Sequence, residues 1–281
     1  MNFTLYYPNF LKKAFTVSYD DGVIQDLRLI DIFNKYHIKG TFNLNSGLQK
    51  VSKFRETDKN QMVDCSRLDL TKNVKAYDGF EIASHTYSHP FLETLDYDKQ
   101  VEEFKKDKEN LEKIFNREVV GAAYPYGTYD TNSLKALEVN NLKYSRTVKS
   151  TYKFNRPYNF LLWNPTIHHT DPLLEKTYDE FVKTDEELAL FYLWGHAYEF
   201  AIHDNFDEFE SFIKKVSENK ETYFATNKDI MEYIKAAELV YYKKRQEGFF
   251  VNPSSKVVYL ITEKGHKIIL KPHERMKYEE I

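Results

Sequence analysis

Cysteine is almost absent. A single residue, Cys65, in 281 excludes an intrachain disulfide and a cysteine-rich metal site. No charge of either sign is in excess: 40 lysines and arginines against 43 acids leave a net −3. That balance gives no basic footprint for nucleic acid and no polybasic patch for a membrane surface. Long hydrophobic runs are missing too. The longest, Leu188 to Gly195, is far shorter than the roughly 20 apolar residues of a membrane helix. The start, MNFTLYYPNFLKKAFTVSYDDG, lacks a basic segment followed by an apolar one, so no signal peptide is read. The expectation is a cytoplasmic chain, although a chain beginning after a removed leader reads the same way. Internal repeats and low-complexity linkers are also absent.

What is present suffices for a core. Hydrophobic residues make up 42% and aromatic residues 16%, which excludes wholesale disorder. Most of the aromatic residues are expected to serve burial. Strand-like and helix-like segments alternate. Residues 14–19, 40–45, 80–84, 118–124, 143–147, 188–194 and 222–225 read as strands. Helical spacing follows at Val23, Leu27, Ile30 and Phe33, over 98–115, 131–140, 206–216 and 228–237. Residues 47–65 are polar and weakly patterned, as a loop or insertion would be. Strands alternating with helices predict βαβ units and a parallel sheet or barrel. The rhythm breaks after Ala237, and the short strand-like pieces of 238–281 predict a small antiparallel β extension packed on a main domain of 1–237.

Three polar groups follow predicted strands, at the end of a parallel sheet where sites are built. Asp20-Asp21-Gly22 places two carboxylates together, one suited to a cation and one to a proton, although an Asp before a helix is more often a plain cap. His85-Thr86-Tyr87-Ser88-His89-Pro90 offers two imidazoles. Pro90 disfavours a helix there and predicts a compact loop. Two imidazoles plus one carboxylate form a catalytic zinc set, although a lone HxxxH is a weak signal. Gly195-His196 ends the most apolar strand, where a histidine serves either the core or a proton transfer.

Taken together in this order, the groups resemble those of the polysaccharide deacetylase family, the NodB-type carbohydrate esterases of family 4. Ser18-Tyr19-Asp20-Asp21 is similar to its opening Asp-Asp motif, and His85-Thr86-Tyr87-Ser88-His89 to its His-(Ser/Thr)-x-x-His motif. Ala123-Tyr124-Pro125-Tyr126-Gly127 matches the second half of Arg-x-Pro-Tyr/Gly, and Trp194-Gly195-His196 resembles Leu-x-His. The resemblance spans roughly residues 12–235. It implies a distorted (β/α) barrel and one divalent metal, zinc in the usual case, held by Asp21, His85 and His89. It further implies Asp20 as general base and His196 as proton donor to the leaving amine. Tyr126, in the Pro125-Tyr126-Gly127 turn, would supply an oxyanion-binding backbone N–H, with Trp163 and Trp194 as pocket walls. The implied activity is removal of N-acetyl groups from an amino-sugar-containing glycan or saccharide, with a carbohydrate substrate and neither nucleic acid nor membrane as partner.

Two departures accompany the resemblance. Ala123 stands where the family has an arginine that steadies the base. We expect another donor to replace it, His168 or His169 being nearest by chemistry. The Asp-x-x-Asp-Trp motif that partners the acidic histidine is not visible, with Asp171 a candidate substitute and Glu199 a weaker one. The missing arginine motivates a second hypothesis, a non-catalytic carbohydrate-binding protein on the same fold. A third is a glycosidase using Asp20 or Asp21 with Glu199 as a carboxylate pair.

Overall fold

The computed structural model describes residues 2–244 and 248–278. Residues 245–247 and 279–281 of the expected C-terminal extension lie outside them. The main sheet is parallel and has eight strands: β1 (Lys13–Asp20), β2 (Gly40–Leu44), β3 (Glu81–Ser84), β4 (Gly121–Ala123), β5 (Tyr144–Arg146), β6 (Ile167–His168), β7 (Ala189–His196) and β8 (Thr222–Phe224). Their order is β5-β4-β3-β2-β1-β7-β6. β8 pairs with the first half of β1, at Lys13–Phe15, and β2 with the second half, at Val17–Asp20. The sheet is therefore curled, a distorted (β/α) barrel as expected.

Among the described residues there are seven helices: α1 (Asp26–Lys35), α2 (Tyr97–Phe115), α3 (Thr131–Val139), α4 (Leu174–Lys183), α5 (Ala197–His203), α6 (Phe206–Ser217) and α7 (Asn227–Glu238). The predicted helices fall close to α1, α2, α3, α6 and α7. Side-chain oxygens of Asp96, Asp130 and Thr226 satisfy backbone donors at the starts of α2, α3 and α7. Helices α4 and α5 have no counterpart in the sequence reading. The polar segment 47–65 contains a hairpin, Phe54–Glu56 against Met62–Asp64.

Strand β1 is the axis of the fold, with all eight residues buried. It pairs with β7 residue for residue, so that His196 lies opposite Asp20 and Gly195 opposite Tyr19. Most apolar side chains under the helices join one large cluster containing Phe15, Val17, Phe42, Phe104, Phe191 and Phe209. A second cluster, with Tyr7, Trp163, Leu190 and Phe250, joins the sheet to the C-terminal strands. Those strands are antiparallel, and the chain's first strand, Phe3–Tyr6, pairs with Val258–Thr262. No helix of the described residues is long and apolar enough to cross a membrane.

Candidate active site

The carboxyl ends of β1, β2, β3, β5 and β7 converge on one point. Asp20, the last residue of β1, is 2% exposed. Asn43, its neighbour across the β1–β2 pair, donates from Nδ2 to Asp20 Oδ1 at 2.7 Å. The guanidinium of Arg146 closes on Oδ2. Burial pushes the Asp20 carboxyl up, but Arg146 and then His85 and His196 outweigh it and hold the group below the ordinary carboxylate range.

Asp21 leaves the strand with φ at 89°. Its Oδ1 lies 2.7 Å from Arg67 Nη1, 3.6 Å from His89 Nε2 and 3.9 Å from His85 Nε2. Burial raises its carboxyl, yet the Arg67 guanidinium and the imidazoles bring it well below its usual range.

His85 and His89 lie on the compact loop that Pro90 predicts. Asp107, buried within α2, accepts from the backbone N–H of Ser46 at 2.7 Å, the Ser84 hydroxyl at 2.6 Å and the His85 N–H at 3.2 Å. Asn45 donates to the carbonyl oxygens of His85 and Thr86. The His85 ring is fixed by Ala123 O, 2.8 Å from Nδ1. A carbonyl can only accept, so Nδ1 carries the proton and Nε2 presents a lone pair to the carboxylates. Burial first, and for His89 the neighbouring His85, lower both imidazoles, His89 to about 3, so both are neutral at pH 7.

The His85 Nε2 lone pair therefore faces the carboxylates, and Asp21 Oδ1 is ion-paired with Arg67 Nη1 at 2.7 Å. The donor atoms of Asp21, His85 and His89 lie within 4.8 Å of one another. Two neutral imidazoles and one carboxylate fit a divalent cation, which would share Asp21 Oδ1 with the Arg67 guanidinium.

His196 ends β7 with Nε2 3.9 Å from Asp20 Oδ2 and Nδ1 3.3 Å from Glu199 Oε2. Glu199 is in the first turn of α5 and accepts the His196 backbone N–H at 3.0 Å. The same oxygen lies 3.3 Å from His168 Nε2 and 3.1 Å from His169 Nε2. Burial opposes a charge on His196, but Glu199 and then Asp20 raise its pKa above the usual value. His168, His169 and Glu199 also bring donor atoms together. However, the Thr170 N–H donates to His168 Nδ1 at 3.2 Å, which leaves the His168 proton on Nε2, facing Glu199. In this group at least the His168 proton is turned toward the carboxylate, whereas His85 turns a lone pair toward Asp21.

These residues border a cavity of about 480 Å³. Asp20, Asp21, His85, His89 and His196 all line it, as do Tyr126 and Trp194. Tyr126 is exposed, at φ 56°, with its ring stacked on Phe91 at 3.9 Å. Pro125 is buried beneath it. Trp163, expected as a pocket wall, does not line this cavity. It is 1% exposed and packs edge-on against Tyr144, Phe160 and Tyr192. Asp21, Thr86, His89 and Tyr126 all hold positive φ.

The replacement for the missing arginine is Arg146, not His168 or His169. Arg146 is the register partner of Ala123 on the adjacent strand, and its guanidinium reaches Asp20 Oδ2. The two histidines sit beyond β7 from Asp20 and are engaged by Glu199. Asp171 accepts from the Tyr152 hydroxyl at 2.7 Å, and Glu199 is the carboxylate beside His196.

The sequence model described as polysaccharide deacetylase matches residues 8–145. No curated protein matches the chain. Among solved structures, the peptidoglycan deacetylase PdaC of Bacillus subtilis aligns over 83% of this chain and 95% of its own, at 18% identity and a TM-score of 0.52. A CE4 family pseudoenzyme from Bacillus anthracis aligns over 80% and 66%, at 15% identity and a TM-score of 0.50. The Streptococcus pyogenes deacetylase PplD, in complex with acetate, is 28% identical over 47% of this chain and 55% of its own, at a TM-score of 0.40. The chain thus spans only 66% of the pseudoenzyme and 55% of PplD.

Proposed function

Because this chain belongs to the polysaccharide deacetylase family, we propose that it is a metal-dependent hydrolase that removes N-acetyl groups from an amino-sugar-containing saccharide. One observation carries the reading: the ligand-type atoms of Asp21, His85 and His89 lie within 4.8 Å of one another, beside a second buried carboxylate, Asp20, and the imidazole of His196. Asp21, His85 and His89 would hold the cation, with zinc suited to the two imidazoles and one carboxylate. When bound, such an ion supplies Lewis-acid polarisation of a carbonyl and a water acidified toward neutrality.

The chain's own residues do the rest. Asp20, ionised and braced by Arg146 and Asn43, accepts the proton of the attacking water. A backbone N–H at Tyr126 would stabilise the oxyanion that develops on the acetyl group. His196, kept protonated by Glu199, delivers a proton to the departing nitrogen as the C–N bond breaks, giving acetate and a free amine. Trp194 forms one wall, and its face also supports the Arg146 guanidinium at 4.1 Å.

The absence of an arginine at position 123 favours a non-catalytic carbohydrate-binding protein, and Arg146 weakens that alternative by bracing Asp20. The glycosidase alternative has less support, because Glu199 is surrounded by three imidazoles. The test is acetate release from N-acetylglucosamine oligomers and nucleotide-linked sugars by zinc-loaded protein. Turnover that falls on chelation and returns with zinc is expected. Tight glycan binding without acetate would favour the binding protein.

A further inference from the structure

We propose that the saccharide taken by this site carries an anionic group, a phosphate or a carboxylate, which is seated against Lys53 and Arg55; the inference rests on the deacetylase reading above. One wall of the cavity comes from the polar segment 47–65 and the residues just after it and brings three cations, Lys53, Arg55 and Arg67. Facing them are two carboxylates, Asp20 and Asp21, and both already have partners: Asp20 is closed by Arg146, and Asp21 lies 2.7 Å from Arg67.

Lys53 and Arg55 have no carboxylate partner among the described residues. The Arg55 guanidinium lies over the Tyr198 ring at 4.2 Å, and its Nε is buried without a hydrogen-bond acceptor. Burial, and next the neighbouring Arg55, depress the Lys53 ammonium. The two cations therefore burden each other, and neither forms an ion pair with Asp20 or Asp21. A divalent cation on Asp21, His85 and His89 would add to the positive field.

The segment is fastened in place rather than swinging free. Cys65 N–H bonds to Lys53 O at 2.7 Å, and Arg67 N–H to Val51 O at 2.9 Å. The hairpin tip is tied to the end of α5 by Asp58 with His203 at 2.7 Å and by Lys59 with Asp204 at 2.8 Å. A neutral sugar would leave the paired cations uncompensated. An anionic oxygen between them would gain charge-assisted hydrogen bonds to both side chains.

The experiment uses the full-length, zinc-loaded protein with Asp20→Asn to stop turnover. Titration calorimetry compares N-acetylglucosamine, N-acetylglucosamine 1-phosphate and N-acetylmuramic acid, the last two separating phosphate from carboxylate. At least one anionic sugar is expected to bind roughly tenfold tighter than the neutral one, as charge-assisted contacts allow. Added Lys53→Gln and Arg55→Gln should abolish that preference, and salt should weaken it in their absence. Equal affinities, no detectable binding of either anionic sugar, or a preference that survives the two substitutions would overturn the proposal. In the last case the anion sits on the metal alone. Acetate release by the unsubstituted chain is scored separately. Its absence alongside an intact preference counts against the deacetylase reading and not the anion subsite, whereas turnover without preference does the reverse.

Discussion

Arg146, wholly buried at the end of β5, closes on Oδ2 of Asp20 across the curl of the sheet. A buried carboxylate that loses such a partner typically destabilises a fold by about 3–5 kcal/mol. Arg146→Ala should therefore lower stability in urea unfolding at pH 7 by an amount of that order. The sign with pH follows from the depressed Asp20 pKa. Its contribution is present above the ordinary aspartate range and is lost as pH falls through the folded value. In the variant the acidic limb of the pH–rate profile should move to higher pH. Ala123→Arg added to Arg146→Ala should restore part of the loss, because the two positions are register partners. An acidic limb that stays in place in Arg146→Ala would refute this role.

Local patterns were legible in the sequence. The strand ends near Asp20, Ser84 and His196, and the Pro90 break, are where the sequence puts them, and they bring Asp20, Asp21, His85, His89 and His196 to one cavity. Arg146 was harder to find. It lies at the end of a segment read as a strand, but which strand pairs with which, and in what register, is a non-local property. Helix α4 does carry a helical signal, Leu174, Thr177, Tyr178 and Phe181 sharing one face, whereas α5 follows β7 without a break and is hard to separate from it. Glu199, three residues after His196, does carry a signal, since an acid at that spacing reaches back to a helix's first N–H. Trp163 shows the opposite limit: a tryptophan near motif residues reads as a pocket wall until packing places it in the core.

Glu199→Gln should separate orientation from charge. Glu199 raises the His196 pKa, and His196 must be protonated to act as an acid. Activity should fall as pH rises through that raised value. In the variant, the alkaline limb should shift to lower pH, with kcat affected more than KM. His196 also contributes stability below its unfolded pKa that is lost as pH rises through the folded one, so the variant's stability at pH 6 should fall more than at pH 9. An unshifted alkaline limb would show that Glu199 only caps α5.

Metal addition should raise the melting temperature of the apo protein in proportion to the logarithm of free ion. Binding to the folded state alone gives about 2.7 kcal/mol at a hundredfold excess over Kd. His89→Ala should lose both the shift and the bound ion in metal analysis. Asp20→Asn should keep both while losing most turnover. If Asp20→Asn released the ion and Asp21→Asn retained it, the roles of the adjacent carboxylates would be exchanged.

Gly195 tests the packing behind the acid. A Cβ there would meet His169 Nδ1 at 2.2 Å and Cε1 at 2.4 Å. The imidazole cannot swing aside freely, because it is stacked on Phe200 at 4.1 Å and on Tyr19 at 5.5 Å. Gly195→Ala should therefore cost about 1–3 kcal/mol, as overpacking does, and displace His169 from Glu199. Gly265 is a useful contrast: an added Cβ meets nothing within 4 Å, and only its φ of +83° resists alanine, a penalty of about 1–2 kcal/mol. The two can be told apart by coupling. Removing the ring with His169→Ala opens room at position 195, so Gly195→Ala should cost less in that background, while Gly265→Ala should cost the same in both. Urea unfolding of the four combinations at each site gives the coupling directly. Additive effects at Gly195 would mean that His169 does not set the requirement for glycine there.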